Sequence, residues 1–82
     1  MEYYVYVLKS EQFDRTYTGM TADLNRRLKE HNTGKTKSTR PYKPWRLVYH
    51  ELVEGALEAR KREKYLKSAA GRQFIKSVLE SE

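Results

Sequence analysis

At 82 residues the chain is one small domain, able to remove only about 60% of its unfolded surface from water, with no room for a second module. It holds no cysteine, so a disulfide framework and a thiolate zinc site are excluded; it also lacks any run of about 18 apolar residues and any basic, apolar leader, so a cytoplasmic protein is expected. Lys and Arg number 17 against 11 Asp and Glu, a formal charge of +6 that points to a polyanionic partner.

Tyr3 to Lys9 is dense in aromatic and β-branched residues and reads as a strand, with Tyr4, Tyr6 and Leu8 on one face and Tyr3, Val5 and Val7 on the other. Ser10 to Asp14 is a polar turn, and Arg15 to Met20 reads as a second strand, so a hairpin is expected. A turn centred near Glu11 and Gln12 would set Tyr6 opposite Tyr17. Thr21 is the candidate N-cap of a helix from about Ala22 to His31, with Asp23 at its positive end. The stripe of that helix is Leu24, Arg27, Leu28 and His31, which turns Arg27 and His31 toward the sheet.

Asn32 to Pro44 is a loop too long for an ordinary connection in so small a domain. It lies within the most basic stretch of the chain: from Arg26 to Arg46 eight Lys and Arg residues face the single acid Glu30. Lys35, Lys37, Arg40 and Lys43 are the candidate nucleic-acid contacts in the loop. Trp45 to Leu52 reads as a third strand, broken by Gly55. Ala56 to Lys67 is a helix whose inward stripe is Ala56, Ala59, Glu63, Leu66 and Ala70, and Glu63 is out of place there. Burying an unpaired charge costs several kcal/mol, so this carboxylate must be paired, metal-bound or partly wet. A last helix from about Arg72 to Leu79 presents Phe74, Ile75, Val78 and Leu79 for packing.

Phosphodiester hydrolysis needs a cation at the non-bridging oxygens, a base for water and help for the leaving oxygen. Arg27 has the planar fork that matches phosphate, and Glu63 is a hard oxygen ligand for Mg²⁺ or Mn²⁺. Tyr17 could act as the base only with a pKa well below about 10, which Arg27 and a bound metal would favour; Tyr6 could orient the water or share the proton. Taken singly, each residue has a plainer reading. Strand tyrosines usually pack, a lone His such as His31 usually caps or packs, and Glu63 could pair with Arg27 in a buried ion pair.

Together these residues resemble the GIY-YIG nuclease superfamily, and its small single-domain members in particular. Tyr4-Val5-Tyr6 matches the first motif, Tyr17-Thr18-Gly19 the second, Arg27 the helix arginine and His31 the position one turn on. Ala59 to Lys67 looks like the segment that supplies the metal-binding Glu63, and Gly34 to Arg40 and Leu47 to Glu51 also resemble this group. The resemblance implies an α+β fold, a three-stranded antiparallel sheet flanked by about three helices, with Tyr6, Tyr17, Arg27, His31 and Glu63 gathered at one surface. It further implies a Mg²⁺- or Mn²⁺-dependent DNA endonuclease that leaves a 5′-phosphate and a 3′-hydroxyl, acting on branched, damaged or single-stranded DNA in repair.

The chain departs from the pattern in having Tyr4 where the family name has Gly, and Met20 where some relatives carry a basic residue. Asn32 is a candidate for an additional polar site residue, unsupported by motif. Relatives with known targets usually append a targeting domain, whereas this chain ends at Glu82, so a homodimer, a targeting protein partner or shape recognition by the basic loop would have to supply specificity. Two alternatives stand beside the enzyme: a non-catalytic nucleic-acid-binding module, and a protein-docking adaptor if the Phe74, Ile75, Val78 and Leu79 face is exposed.

Overall fold

A strand that is apolar on both faces belongs in the middle of a covered sheet, and β1 (Glu2–Ser10) takes that place. The computed structural model, which describes residues 1–81, has the strand order β2-β1-β3, with β2 (Thr16–Thr21) and β3 (Trp45–Glu54) each antiparallel to β1. Val5, Tyr6, Val7 and Leu8 are all buried, alternating between two cores. On one face Tyr6, Leu8 and Trp45 pack with Leu24 and Leu28 of α1 (Leu24–Thr33). On the other, Val5 and Val7 pack with Ala59 and Leu66 of α2 (Ala56–Lys67) and Ile75 of α3 (Ala69–Glu80). The fold is the expected α+β arrangement, a three-stranded antiparallel sheet with three helices.

The hairpin register differs from the expected one. Tyr6 pairs with Gly19, and Leu8 with Tyr17. The connection is wider than a turn at Glu11 and Gln12: the Ser10 amide closes it on the Arg15 carbonyl at 2.9 Å, while Ser10 Oγ accepts from the Gln12 and Phe13 amides at 3.3 and 3.1 Å. The slip is two residues, an even number, so Tyr17 keeps the Tyr6 face of the sheet.

Helix α1 begins later than Thr21 suggested. Asp23 is the N-cap, its Oδ1 accepting from the Arg26 amide at 3.1 Å, while Thr21 Oγ1 accepts from the Asp23 amide one step earlier. Asp caps as well as Thr does and its charge also complements the helix dipole, so the boundary moves to Asp23. The helix closes on Gly34, whose φ of 84° permits the left-handed cap, and a 3₁₀ turn (Arg40–Tyr42) sits inside the following loop.

Ala70, expected on the α2 stripe, is exposed because the chain breaks at Ser68, whose Oγ accepts from the Gly71 amide at 3.2 Å and starts α3. Gly71 makes the tight corner possible: a Cβ there would stand 2.0 Å from the Tyr65 carbonyl oxygen. The corner lays α3 against the sheet, with Ile75 buried and Phe74, Val78 and Leu79 partly buried, which removes the exposed face that a docking adaptor would need. Arg62 ties α2 to β3 through an ion pair with Glu51, itself the acceptor of the Tyr49 hydroxyl at 2.6 Å.

Candidate active site

The α1 face of the sheet carries a buried polar chain. Tyr6 is 1% exposed and its hydroxyl lies 3.0 Å from Nε2 of His31; Nδ1 of the same ring lies 2.8 Å from Oγ1 of Thr39. His31 has no exposure at all, and burial, helped by the nearby Arg27 charge, pushes its pKa down to about 4. A neutral ring donates through one nitrogen and accepts through the other, so every polar atom of the chain is satisfied. His31 therefore sits beneath the tyrosines, holding Tyr6, and does not reach the surface.

Above this chain the side chains become accessible. The half-buried Tyr17 ring lies 4.8 Å from the His31 ring and 6.3 Å from the Tyr6 ring, centroid to centroid. Gly19, opposite Tyr6, leaves the space that both phenols use: a Cβ there would stand 2.8 Å from the Tyr6 hydroxyl and 3.0 Å from Tyr17 Cε2. Arg27, one turn before His31, donates to Glu30 Oε1 at 3.0 Å, and Arg26 approaches the other oxygen of Glu30 at 3.6 Å. Burial works against the Arg27 charge, but Glu30, Tyr6 and Tyr17 together outweigh it and raise the guanidinium pKa. Burial first, then the neighbouring Tyr17, push the Tyr6 phenol up to about 12, so Tyr6 keeps its proton at neutral pH.

Glu63 approaches from the opposite face, beside Met20 of β2, in a shallow pocket with Arg60, Lys64 and Lys67. Its side chain is 21% exposed and paired with Lys67 Nζ at 2.7 Å, so the alternative of a buried Arg27 to Glu63 pair is replaced by two local pairs within helices. The carboxylate is still within electrostatic reach of Tyr6, whose pKa it helps to raise. Thus Tyr6, Tyr17, Arg27 and His31 converge on one face, and Glu63 faces them across β2. Among the described residues no three His, Cys, Asp or Glu converge. A lone, partly wet carboxylate fits a Mg²⁺-type ion, which takes one or two carboxylates and draws its remaining ligands from phosphate and water.

Residues 2–76 match the GIY-YIG family, described as the GIY-YIG catalytic domain. The chain belongs to the GIY-YIG family. It is 41% identical over 76 residues to a UPF0213 protein of Clostridium perfringens, covering 92% of this chain and 81% of the relative. A UPF0213 protein of Staphylococcus haemolyticus is 35% identical over 80 residues, covering 96% of each. The solution NMR structure of a UPF0213 protein from Bacillus halodurans superposes with a TM-score of 0.57 at 36% identity, over 95% of this chain and 85% of that one. GIY-YIG is a nuclease-type family whose members act on DNA.

Within this GIY-YIG domain the loop cations Lys35, Lys37, Arg40 and Lys43 are exposed, with Arg40 Nε tied to the Gly34 carbonyl at 2.9 Å. Asn32 serves the scaffold: its amide bridges the backbone of Trp45 from both sides, so it supplies no site group. Sequence reasoning gave no role to Thr39, which only the three-dimensional return of the loop brings under His31. Glu30, by contrast, was readable, lying three residues from Arg27 on one helix face.

Proposed function

We propose that this protein is a divalent-metal-dependent endonuclease that hydrolyses phosphodiester bonds in DNA, on branched, damaged or single-stranded substrates. The observation that carries the reading is the convergence of the Tyr6 and Tyr17 phenols and the Arg27 guanidinium around the gap left by Gly19, with the Glu63 carboxylate in electrostatic reach.

Arg27 moves from Glu30 to the non-bridging oxygens of the scissile phosphate, exchanging one anion for another. Tyr17, the accessible phenol, first gives up its own proton to solvent and then, as a phenolate whose charge Arg27 offsets, takes the proton of the attacking water. Tyr6, with a pKa near 12, stays protonated and positions that water, held in turn by the neutral His31 ring. Mg²⁺ or Mn²⁺ held by Glu63 would polarise the phosphate and offset the charge that develops on it. The new bond joins the water oxygen to phosphorus and the bond to the 3′-oxygen breaks, which leaves a 5′-phosphate and, after proton uptake from solvent, a 3′-hydroxyl. His31 is a positioning residue in this scheme, acting through Tyr6.

One observation favours a second reading, a module that clamps nucleic acid without cutting it: both Arg27 and Glu63 already hold partners of their own, Glu30 and Lys67. Incubating the full chain with end-labelled flap, fork and single-stranded DNA in Mg²⁺ or Mn²⁺ separates the two. Cleavage that falls by on the order of a hundredfold in Arg27→Ala and in Glu63→Ala supports the enzyme; cleavage that survives either change removes the assigned mechanism. Salt-dependent binding with no cleavage supports the second reading.

A further inference from the structure

A cleft of about 580 Å³ opens between the β2 side of the sheet and α3, a volume within the roughly 300–1,000 Å³ range of small-ligand sites. Its floor is apolar, built from Val7, Leu66, Ile75 and Leu79. Its rim is basic: Lys9, Lys67, Arg72 and Lys76 stand around it with Asp14 as the lone acid. Asp14 is engaged by Lys9 at 3.7 Å and Lys67 by Glu63 at 2.7 Å, whereas Arg72 and Lys76 have no ionic partner among the described residues. Those two cations lie one turn apart on α3, where like charges repel unless an anion sits between them. The Gly71 corner, which admits no Cβ, fixes them relative to Lys67.

The cleft adjoins both halves of the candidate active site. Tyr17 lines it and also belongs to the phenol and guanidinium cluster; Lys67 lines it and also borders the Glu63 pocket. An apolar floor under a basic rim matches a nucleotide, with the base against the aliphatic side chains and the phosphate on the cations. We propose that this cleft receives the nucleotide next to the scissile phosphate, with Arg72 and Lys76 gripping its flanking phosphate and Leu66, Ile75 and Leu79 beneath its base. The inference rests on the nuclease reading above, since it places one substrate strand across both Tyr17 and the cleft.

Two measurements on the full chain test it. In the first, a nucleoside 5′-monophosphate is titrated into labelled protein and followed by NMR, beside inorganic phosphate as a control. Methyl shifts at Leu66, Ile75 and Leu79 with the nucleotide, and none with phosphate alone, are expected; shifts confined to the 35–43 loop, or none, overturn the cleft. In the second, Arg72→Gln together with Lys76→Gln, both exposed side chains, is expected to raise KM for cleavage of single-stranded DNA roughly tenfold with kcat unchanged. The log–log salt slope should flatten by about 0.7, the loss of one phosphate contact on a single strand.

Nucleotide shifts in the cleft with an unchanged KM and salt slope would assign a free nucleotide and overturn the placement of the strand. Cleft shifts in a protein that cuts no DNA would sink the nuclease reading and, with it, the strand assignment. Cleavage without cleft shifts would sink the cleft and spare the nuclease.

Discussion

Replacing Gly19 with alanine sets two effects of opposite sign against each other. Glycine in a strand interior costs roughly 0.5–1 kcal/mol relative to alanine, so on backbone grounds Gly19→Ala would stabilise the domain. The added methyl, however, stands 2.8 Å from the Tyr6 hydroxyl and 3.0 Å from both Tyr6 Cζ and Tyr17 Cε2. Tyr6 has nowhere to retreat, being 1% exposed and tied to His31 at 3.0 Å. Forcing extra volume into a packed site costs about 1–3 kcal/mol, and with Tyr6 unable to retreat the upper part of that range, about 2–3 kcal/mol, applies, so the net change is a destabilisation of about 1–2 kcal/mol. For a domain of this size each kcal/mol moves Tm by about 4–8 °C, which places the loss at about 5–15 °C. Thermal unfolding followed by circular dichroism, with urea titrations to check that the m-value is unchanged, measures it. Because the clash displaces the two phenols, cleavage should fall by on the order of a hundredfold as well. An equal or higher Tm with full cleavage would refute the role given to Gly19.

His31 makes stability depend on pH. Its pKa is about 4 in the folded chain against 6.5 for an ordinary histidine, so the unfolded chain binds more protons between those values; the contribution is fully present above pH 6.5, falls as pH drops through the window and is lost below 4, in all about 3 kcal/mol. Urea titrations from pH 7 to 4.5 should show that fall, and His31→Gln should flatten it; an identical slope in the variant would remove His31 as its source. Changing Lys35, Lys37 and Lys43 together to glutamine should reduce the log–log salt slope of duplex DNA binding by about 3 while leaving the fold intact. An unchanged slope would take the loop out of the interface.

Much of this architecture was legible because its signals are local. The alternation from Tyr3 to Leu8 marks a strand buried on both faces, and the Leu24, Arg27, Leu28 and His31 spacing marks one helix face, whatever the tertiary contacts. The Ala56–Lys67 helix falls at its expected bounds for the same reason. The hairpin register was not legible: it depends on how Ser10 Oγ gathers the loop amides, a detail that composition does not carry. Ala70 left the α2 stripe because a serine cap and a glycine corner restart the helix, and a periodicity argument runs straight through both. At the site, spacing identified the residues but not their depth. Nothing in the sequence separates a surface His31 from one sealed under Tyr6 by a threonine eight residues away in the loop. Nor does helical spacing reveal that Glu63 and Arg27 lie on opposite faces of the sheet, since that depends on where each connection crosses it.

If Glu63 and the Tyr6, Tyr17 and Arg27 cluster act as one phosphodiester-cleaving site, an ion held by Glu63 must face the tyrosines across the β2 edge. A crystal structure of the full chain soaked in Mn²⁺, with the ion located by its anomalous scattering, tests this most directly. The expected result is Mn²⁺ on the Glu63 carboxylate, Lys67 turned aside, and Tyr17 and Arg27 bordering the same opening. Mn²⁺ bound elsewhere while Glu63 remains on Lys67, or a Glu63-bound ion facing away from the tyrosines, would contradict it.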